Sequence, residues 1–238
     1  MTQVAPKPIE TSEGAAADRA APRASERVML APALVTLSDP LSPGAEAIRA
    51  LRTHVMAQHI QQGRRGLVIC AASLDVGCSF VAANLAVALA QIGLKTLLVD
   101  GDLRSPSIHQ LIPPRGQTAG LAGCLATAYA IVGDFIEEDL LPNLSVLYAG
   151  DGAANSQELL ARELFEDVMN QCLRDYDVTI VDTPPANTSA DARRICNVVG
   201  YALVVARRNK SLVSDVKTLV EQLIDDHAKV IGTVMNAE

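Results

Sequence analysis

One stretch, residues 66–104, limits what this chain can fold into: GLVICAASLDVGCSFVAANLAVALAQIGLKTLLVDGDLR. Residues 67–71 are a short apolar run of the buried-strand type, and residues 72–77 read as a loop. From 79 to 91 apolar residues recur at helical spacing, and Gly93 ends the run. Residues 95–99 form a second apolar strand, closed by Asp100-Gly101-Asp102-Leu103-Arg104. A strand, a loop and a helix N-terminus together cradle nucleotide phosphates, because free backbone N–H groups and the helix dipole both favour anions. Two carboxylates at the end of the next strand are placed to hold Mg²⁺ or to orient a nucleophile. Such a loop requires Gly-Lys-Ser/Thr at the helix start, and this chain carries Gly77-Cys78-Ser79. The architecture of a nucleotide site is present without its cation.

Composition supports the same architecture. Hydrophobic residues make up 49% of the 238, aromatics only 3%, and Trp is absent, so the core must be Ala, Val, Leu and Ile. That suits a parallel sheet covered by helices on both faces. The net charge of -7 argues against nucleic acid as a partner. Cys70, Cys78, Cys124, Cys172 and Cys196 form neither a CxxC nor a metal-ligand spacing, so they read as small core residues in a reducing cytosol. No uncharged apolar run reaches membrane-spanning length, and the N-terminus has no apolar signal core. The expectation is a cytoplasmic protein that meets a membrane only through a partner.

Residues 1–28 are rich in Ala, Pro, Ser and Glu, with balanced charge and no apolar period, and read as a disordered arm. Residues 29–238 read as one domain. Residues 29–37 read as extended, and Ser42-Pro43 opens a helix to about residue 61. That helix carries Glu46, Arg49 and Arg52 on one side. On spacing alone this is a solvated face with an ion pair worth a few tenths of a kcal/mol. Helices are expected over 118–135, 156–174 (capped by Ser156), 190–198 and 211–223, with strands at 144–149, 177–181, 201–206 and 229–235. Their alternation gives an α/β, doubly wound, mainly parallel sheet. Loops 72–78, 100–104, 182–187 and 236–238 then share the carboxyl edge, where such sheets bind ligands.

These motifs resemble one family, the bacterial tyrosine kinases of capsule and exopolysaccharide export. The likeness spans about residues 42–236 and rests on EAIRALR, AASLDVGCS, LLVDGDLRSP, VTIVDTPP and the late Val234-Met235-Asn236. It implies a P-loop NTPase-like three-layer sandwich. It implies that Ser79, Asp100 and Asp182 serve Mg²⁺, and that Asp102 is catalytic. Gly77, Cys78 and Ser79 would meet the phosphates of ATP or ADP, with Asn236 near the base. Glu46, Arg49 and Arg52 would mediate oligomerisation. The implied partner is a chain-length-determinant (polysaccharide co-polymerase) protein of the inner membrane, with self-association or a kinase relative beside it. The implied place is the cytoplasmic side of that membrane.

The departures decide the function expected. Cys78 stands where the family has the lysine that meets the β- and γ-phosphates, Asp75 replaces a glycine, and Phe80 replaces a small hydroxyl residue. A unit charge pair at 4 Å and an effective dielectric of ~20 is worth about 4 kcal/mol before desolvation. Losing a third of that costs about tenfold or more in binding or turnover. Asp75 adds repulsion unless it is turned away or takes a hydrogen bond. Cys78 could also be read as a reactive thiol at a helix N-terminus, against a plain tolerated substitution. No tyrosine-rich tail follows, and Tyr129, Tyr148, Tyr176 and Tyr201 all fall within expected structure. The first expectation is a pseudokinase that regulates or assembles an exopolysaccharide complex (capsule- or holdfast-type), with the loss of lysine weighing against Mg²⁺ and ATP or ADP. The second is an active ATP-dependent autokinase in which Arg64, Arg65 or a neighbouring subunit replaces the lysine. The third is a partitioning or septum-site ATPase, although Ser73 stands where that class has its extra lysine.

Overall fold

A computed structural model describes residues 30–237, and the arm read at 1–28 lies outside the described residues. The strands are β1 (Gly66–Cys70), β2 (Thr96–Asp100), β3 (Glu137–Leu141), β4 (Leu144–Leu147), β5 (Val178–Asp182), β6 (Tyr201–Arg207) and β7 (Lys229–Asn236). The helices are α1 (Val35–Ser38), α2 (Pro43–Gln58), α3 (Cys78–Ala90), α4 (Ile108–Leu111), α5 (Gly120–Ala126), α6 (Ser156–Ala161), α7 (Glu163–Asp175), α8 (Asp191–Val199) and α9 (Val213–Asp225). The seven strands form one sheet in the order β3-β4-β2-β5-β1-β6-β7, parallel except for β3.

The central strands β1, β2 and β5 are buried along their whole length, as their unbroken apolar runs require. Their side chains alternate between two cores. Leu67, Ile69, Leu98 and Ile180 face the layer of α2 and α3. Val68, Cys70, Val99 and Val181 face the layer of α6 to α9. Most of α3 is buried, and its run of alanines lets it lie close to the sheet. The result is the expected three-layer, doubly wound sandwich.

Local departures have identifiable causes. Residues 30–37 are not extended but turn into α1, with Leu34 sunk in the core. The Ala/Leu-rich segment 118–135 is helical only in α5 and a 3₁₀ turn at Val132–Phe135. Between them lies an exposed turn bearing Tyr129. The helix expected over 156–174 breaks at Arg162, whose backbone is extended (φ -70, ψ 149). Arg162 sends its guanidinium to the Leu125 carbonyl, and Arg194 takes the Leu160 carbonyl freed at the break. Ser156 does not cap that helix; its hydroxyl donates to buried Asp191. Strand β3 escaped sequence reading because Glu-Glu-Asp-Leu-Leu lacks alternation and pairs at an edge, with Asp139 at positive φ.

Candidate functional site

Strands β1, β2 and β5 end side by side, and the parallel register sets Asp100 directly opposite Asp182. The loops expected at 72–78, 100–104 and 182–187 meet there, with Asn236 beside them, and residue 238 lies outside the described residues. Asp100 is buried. One of its oxygens accepts the Asp102 N–H (3.2 Å), and the other accepts those of Ser107 (3.2 Å) and Ile108 (3.1 Å). Burial raises its pKa to about 6, against the pull of those three bonds.

Asp182 is also fully buried, and neither of its oxygens has a hydrogen-bond partner. Burial and then the charge of Asp100 hold its pKa well above the carboxylate range. The Ser79 hydroxyl and the Thr183 N–H pull it back without completing a hydrogen bond. Ser79 itself accepts from the Ser107 hydroxyl at 2.7 Å, which leaves its own proton free to turn toward Asp182. Two carboxylates and a hydroxyl, one carboxylate orphaned, are the hard oxygen donors that Mg²⁺ takes, with water and phosphate completing its shell. The residues present therefore fit the metal half of a Mg²⁺–nucleotide site.

The phosphate half does not fit. Gly77 has φ +92, and a Cβ there would run into Asn236 Nδ2, so this position needs glycine. Cys78 opens α3 in the lysine position. Burial first and Asp182 second push its thiol well above the usual range, so it is not an activated nucleophile. Asp75 departs from expectation. Its side chain is 79% exposed, its carboxylate pairs with Lys210 at 3.1 Å, and its carbonyl accepts from Arg207 at 3.0 Å. It points away from the cradle and adds little repulsion there.

Asn236 reaches back from the end of β7 and donates to the Val76 carbonyl at 3.1 Å, joining the last strand to the phosphate loop. Asp102 uses one oxygen to close its own turn, accepting from the N–H groups of Arg104 and Ser105. Arg104 is tied to buried Asp191 at 2.9 Å, which fixes this turn to α8. The proposed stand-ins Arg64 and Arg65 lie at the wrong edge. Both precede β1. Arg64 sits over the Tyr201 ring, and Arg65 donates to the Arg174 carbonyl. Five strand residues at about 3.3 Å each separate them from the loop. Sequence reasoning missed the Arg207–Lys210 clasp, and the basic run Arg207-Arg208-Asn209-Lys210 after a strand was the available signal.

The helix surface is split. Glu46 and Arg49 pair with each other at 2.8 Å, while Arg52 donates to the Ala88 carbonyl near the end of α3 at 3.3 Å.

Comparison with known proteins agrees with this architecture. The family model described as ParA, NUBPL iron-transfer P-loop NTPase, matches residues 64–238. A Staphylococcus aureus protein with the name "Putative tyrosine-protein kinase CapB" is 34% identical over 199 residues, covering 83% of this chain and 86% of CapB. The chain belongs to the bacterial tyrosine-kinase family of ParA-like P-loop NTPases. Among solved structures of this family's fold, the chimerical protein CapA2B2 superposes with a TM-score of 0.77 at 32% identity, over 88% of this chain and 91% of that one. An Erwinia amylovora protein with the name "Putative tyrosine-protein kinase AmsA" is 30% identical over 204 residues. Those residues are 86% of this chain and 28% of AmsA, so the chain spans about a quarter of that longer kinase.

Proposed function

We propose that this tyrosine-kinase-like chain works by binding and not by phosphoryl transfer. It would regulate or assemble an exopolysaccharide synthesis and export complex on the cytoplasmic side of the inner membrane. The observation that carries this reading is Cys78 at the head of α3, near the orphaned Asp182, where the family has a lysine. Phosphoryl transfer is positioning and charge neutralisation, and the β–γ region here has lost its fixed cation. The partners in this reading are a co-polymerase protein of the membrane and, through the Glu46–Arg49–Arg52 surface, a second copy of the chain or a kinase relative. No described helix is long and apolar enough to cross a membrane.

If nucleotide binds at all, Ser79, Asp100 and Asp182 would hold Mg²⁺, which would supply charge neutralisation to the phosphates. Gly77 and the loop backbone would meet the phosphates, Asn236 would border the base, and Asp102 would stand where the catalytic carboxylate belongs. The survival of Ser79, Asp100, Asp102 and Asp182 favours a second reading, an active autokinase whose missing cation comes from another subunit. Calorimetric titration with Mg²⁺-ADP and Mg²⁺-ATP separates the two. The binding-module reading expects no or weak ATP binding, and tight ATP binding with phosphotyrosine formation would overturn it.

A further inference from the structure

Ser107 stands at the N-cap position of α4, where a serine hydroxyl ordinarily accepts from a backbone N–H two or three residues on. Here the side chain makes no capping bond. The Asp100 carboxylate takes that role, and one of its oxygens accepts the N–H of Ser107 (3.2 Å) and that of Ile108 (3.1 Å). The Ser107 hydroxyl is thereby released. It crosses 28 positions of sequence to donate to Ser79 Oγ, in the first turn of α3, at 2.7 Å. Ile108 is fully buried in the core shared with α3, which fixes the approach. One residue thus holds Asp100 through its backbone and Ser79 through its side chain, although the two follow different strands. Asp182, the third member of the group, has neither oxygen bonded.

We propose that Ser107 is a positioning residue for the metal half of the site, acting through Ser79. The proposal rests on the reading of Ser79, Asp100 and Asp182 as the groups that would hold Mg²⁺. A serine hydroxyl has one proton and two lone pairs, and its oxygen serves a cation only when the proton points elsewhere. As the structure stands, Ser107 donates to Ser79, and the Ser79 proton can turn toward Asp182. With Asp182 committed to a cation, the Ser79 proton needs another acceptor. The Ser107 oxygen, 2.7 Å away, is that acceptor. The bond reverses direction by rotation of two hydroxyl hydrogens, and the proton of half-buried Ser107 turns to water. No heavy atom has to move. Groups that orient a metal ligand from behind in this way set metal affinity. Ser107→Ala would leave both Asp100 bonds in place, because backbone N–H groups make them, and would remove only the partner of Ser79.

The test is binding of Mn²⁺, a paramagnetic stand-in for Mg²⁺, to the full chain, read by loss of the free-ion electron paramagnetic resonance signal. Asp182→Asn should abolish the site. Ser107→Ala should raise the Mn²⁺ dissociation constant about tenfold or more. Ser107→Thr, which keeps the hydroxyl, should bind as the wild type does. Urea unfolding in chelator should give the wild type and Ser107→Ala the same midpoint, since the lost hydroxyl caps nothing. The metal reading and the proposal fail separately. A wild type that binds no Mn²⁺, or an Asp182→Asn variant that binds it as well as the wild type, would overturn the metal reading and this proposal with it. An Asp182→Asn variant that loses the ion, beside a Ser107→Ala variant of wild-type affinity, would overturn the proposal alone. So would a Ser107→Thr variant no better than Ser107→Ala, or an affinity loss in Ser107→Ala matched by an equal loss of folding stability in chelator.

Discussion

Lys210 Nζ holds the Asp75 carboxylate 3.1 Å away on the outside of the phosphate loop. Asp75 takes a left-handed backbone (φ 52), a conformation that glycine adopts freely, while its charge points out of the cradle. Of the two charge defects legible in the loop, the lost lysine remains and the added carboxylate largely drops out.

The first prediction follows from that division. Cys78→Lys alone should regain most of the Mg²⁺-ATP binding that the Cys78→Lys/Asp75→Gly double variant regains. The new ammonium would restore the cation that meets the β- and γ-phosphates, an interaction of about 4 kcal/mol at 4 Å and an effective dielectric of ~20 before desolvation. Removing Asp75 relieves only an exposed pair worth about 0–1 kcal/mol, and it frees Lys210. Calorimetry on the three proteins checks this. A single variant as blind to ATP as the wild type, beside a double variant that binds, would put the deciding term at Asp75. If neither binds, packing closes the pocket and charge is not the deciding term.

The second prediction concerns turnover. Wild-type protein incubated with Mg²⁺-ATP should yield no phosphotyrosine and no ATPase above background, and Asp100→Asn should change neither. Tyr148 and Tyr176 are buried, while Tyr129 is fully exposed on its turn. Any phosphate added by an active relative should therefore appear on Tyr129 by mass spectrometry. Autophosphorylation of the wild type that vanishes in Asp100→Asn would establish a working kinase.

The strands that build the site were legible because each is an unbroken apolar run buried on both faces. The register of Asp100 against Asp182 follows once those runs are parallel neighbours. The position of Asp100 and Asp182 at the ends of those strands was legible for the same reason. The Asp75 carboxylate was not, because its direction depends on Lys210, 135 positions away. Arg64 and Arg65 were misplaced because sequence proximity to β1 says nothing about which end of the strand they occupy. Strand β3 and the break at Arg162 depend on edge pairing and on carbonyls taken by Arg162 and Arg194, tertiary effects that override local pattern.

The third prediction concerns assembly. Glu46 and Arg49 neutralise each other on the surface, and Arg52 is anchored at the Ala88 carbonyl, so the face offers a fixed guanidinium beside an exposed ion pair. Reversal at Arg49 and Arg52 should weaken association with a kinase relative while circular dichroism stays unchanged. Light scattering of the mixture measures it, and an unaltered association would remove this helix from the interface.

The last prediction is a pH dependence with an unusual direction. Most acidic groups in folded proteins are held as carboxylates, so stability falls on acidification. Asp100 is the reverse case. Burial raises its pKa from 3.8 to about 6, and Asp182 is raised well beyond the carboxylate range by burial and by Asp100. The native state therefore binds these protons more tightly than the unfolded chain does. Between about pH 4 and pH 6 the native state holds more protons, so the Asp100 contribution is fully present at the acid end and is lost as pH rises through about 6. Its size, converted from the raised pKa of this buried group, is about 3 kcal/mol. Without divalent cation, urea unfolding of the wild type should lose stability relative to Asp100→Asn across that window, and the difference should level off above it. The comparison with Asp100→Asn cancels groups of opposite sign, such as Asp226, whose carboxyl is held low by Arg193. Saturating Mg²⁺ should shrink the difference if Asp100 and Asp182 hold the ion, because the cation favours both carboxylates ionised. A wild type and an Asp100→Asn variant with parallel pH profiles would show that Asp100 is ionised in the fold, and would move the proton to Asp182 alone.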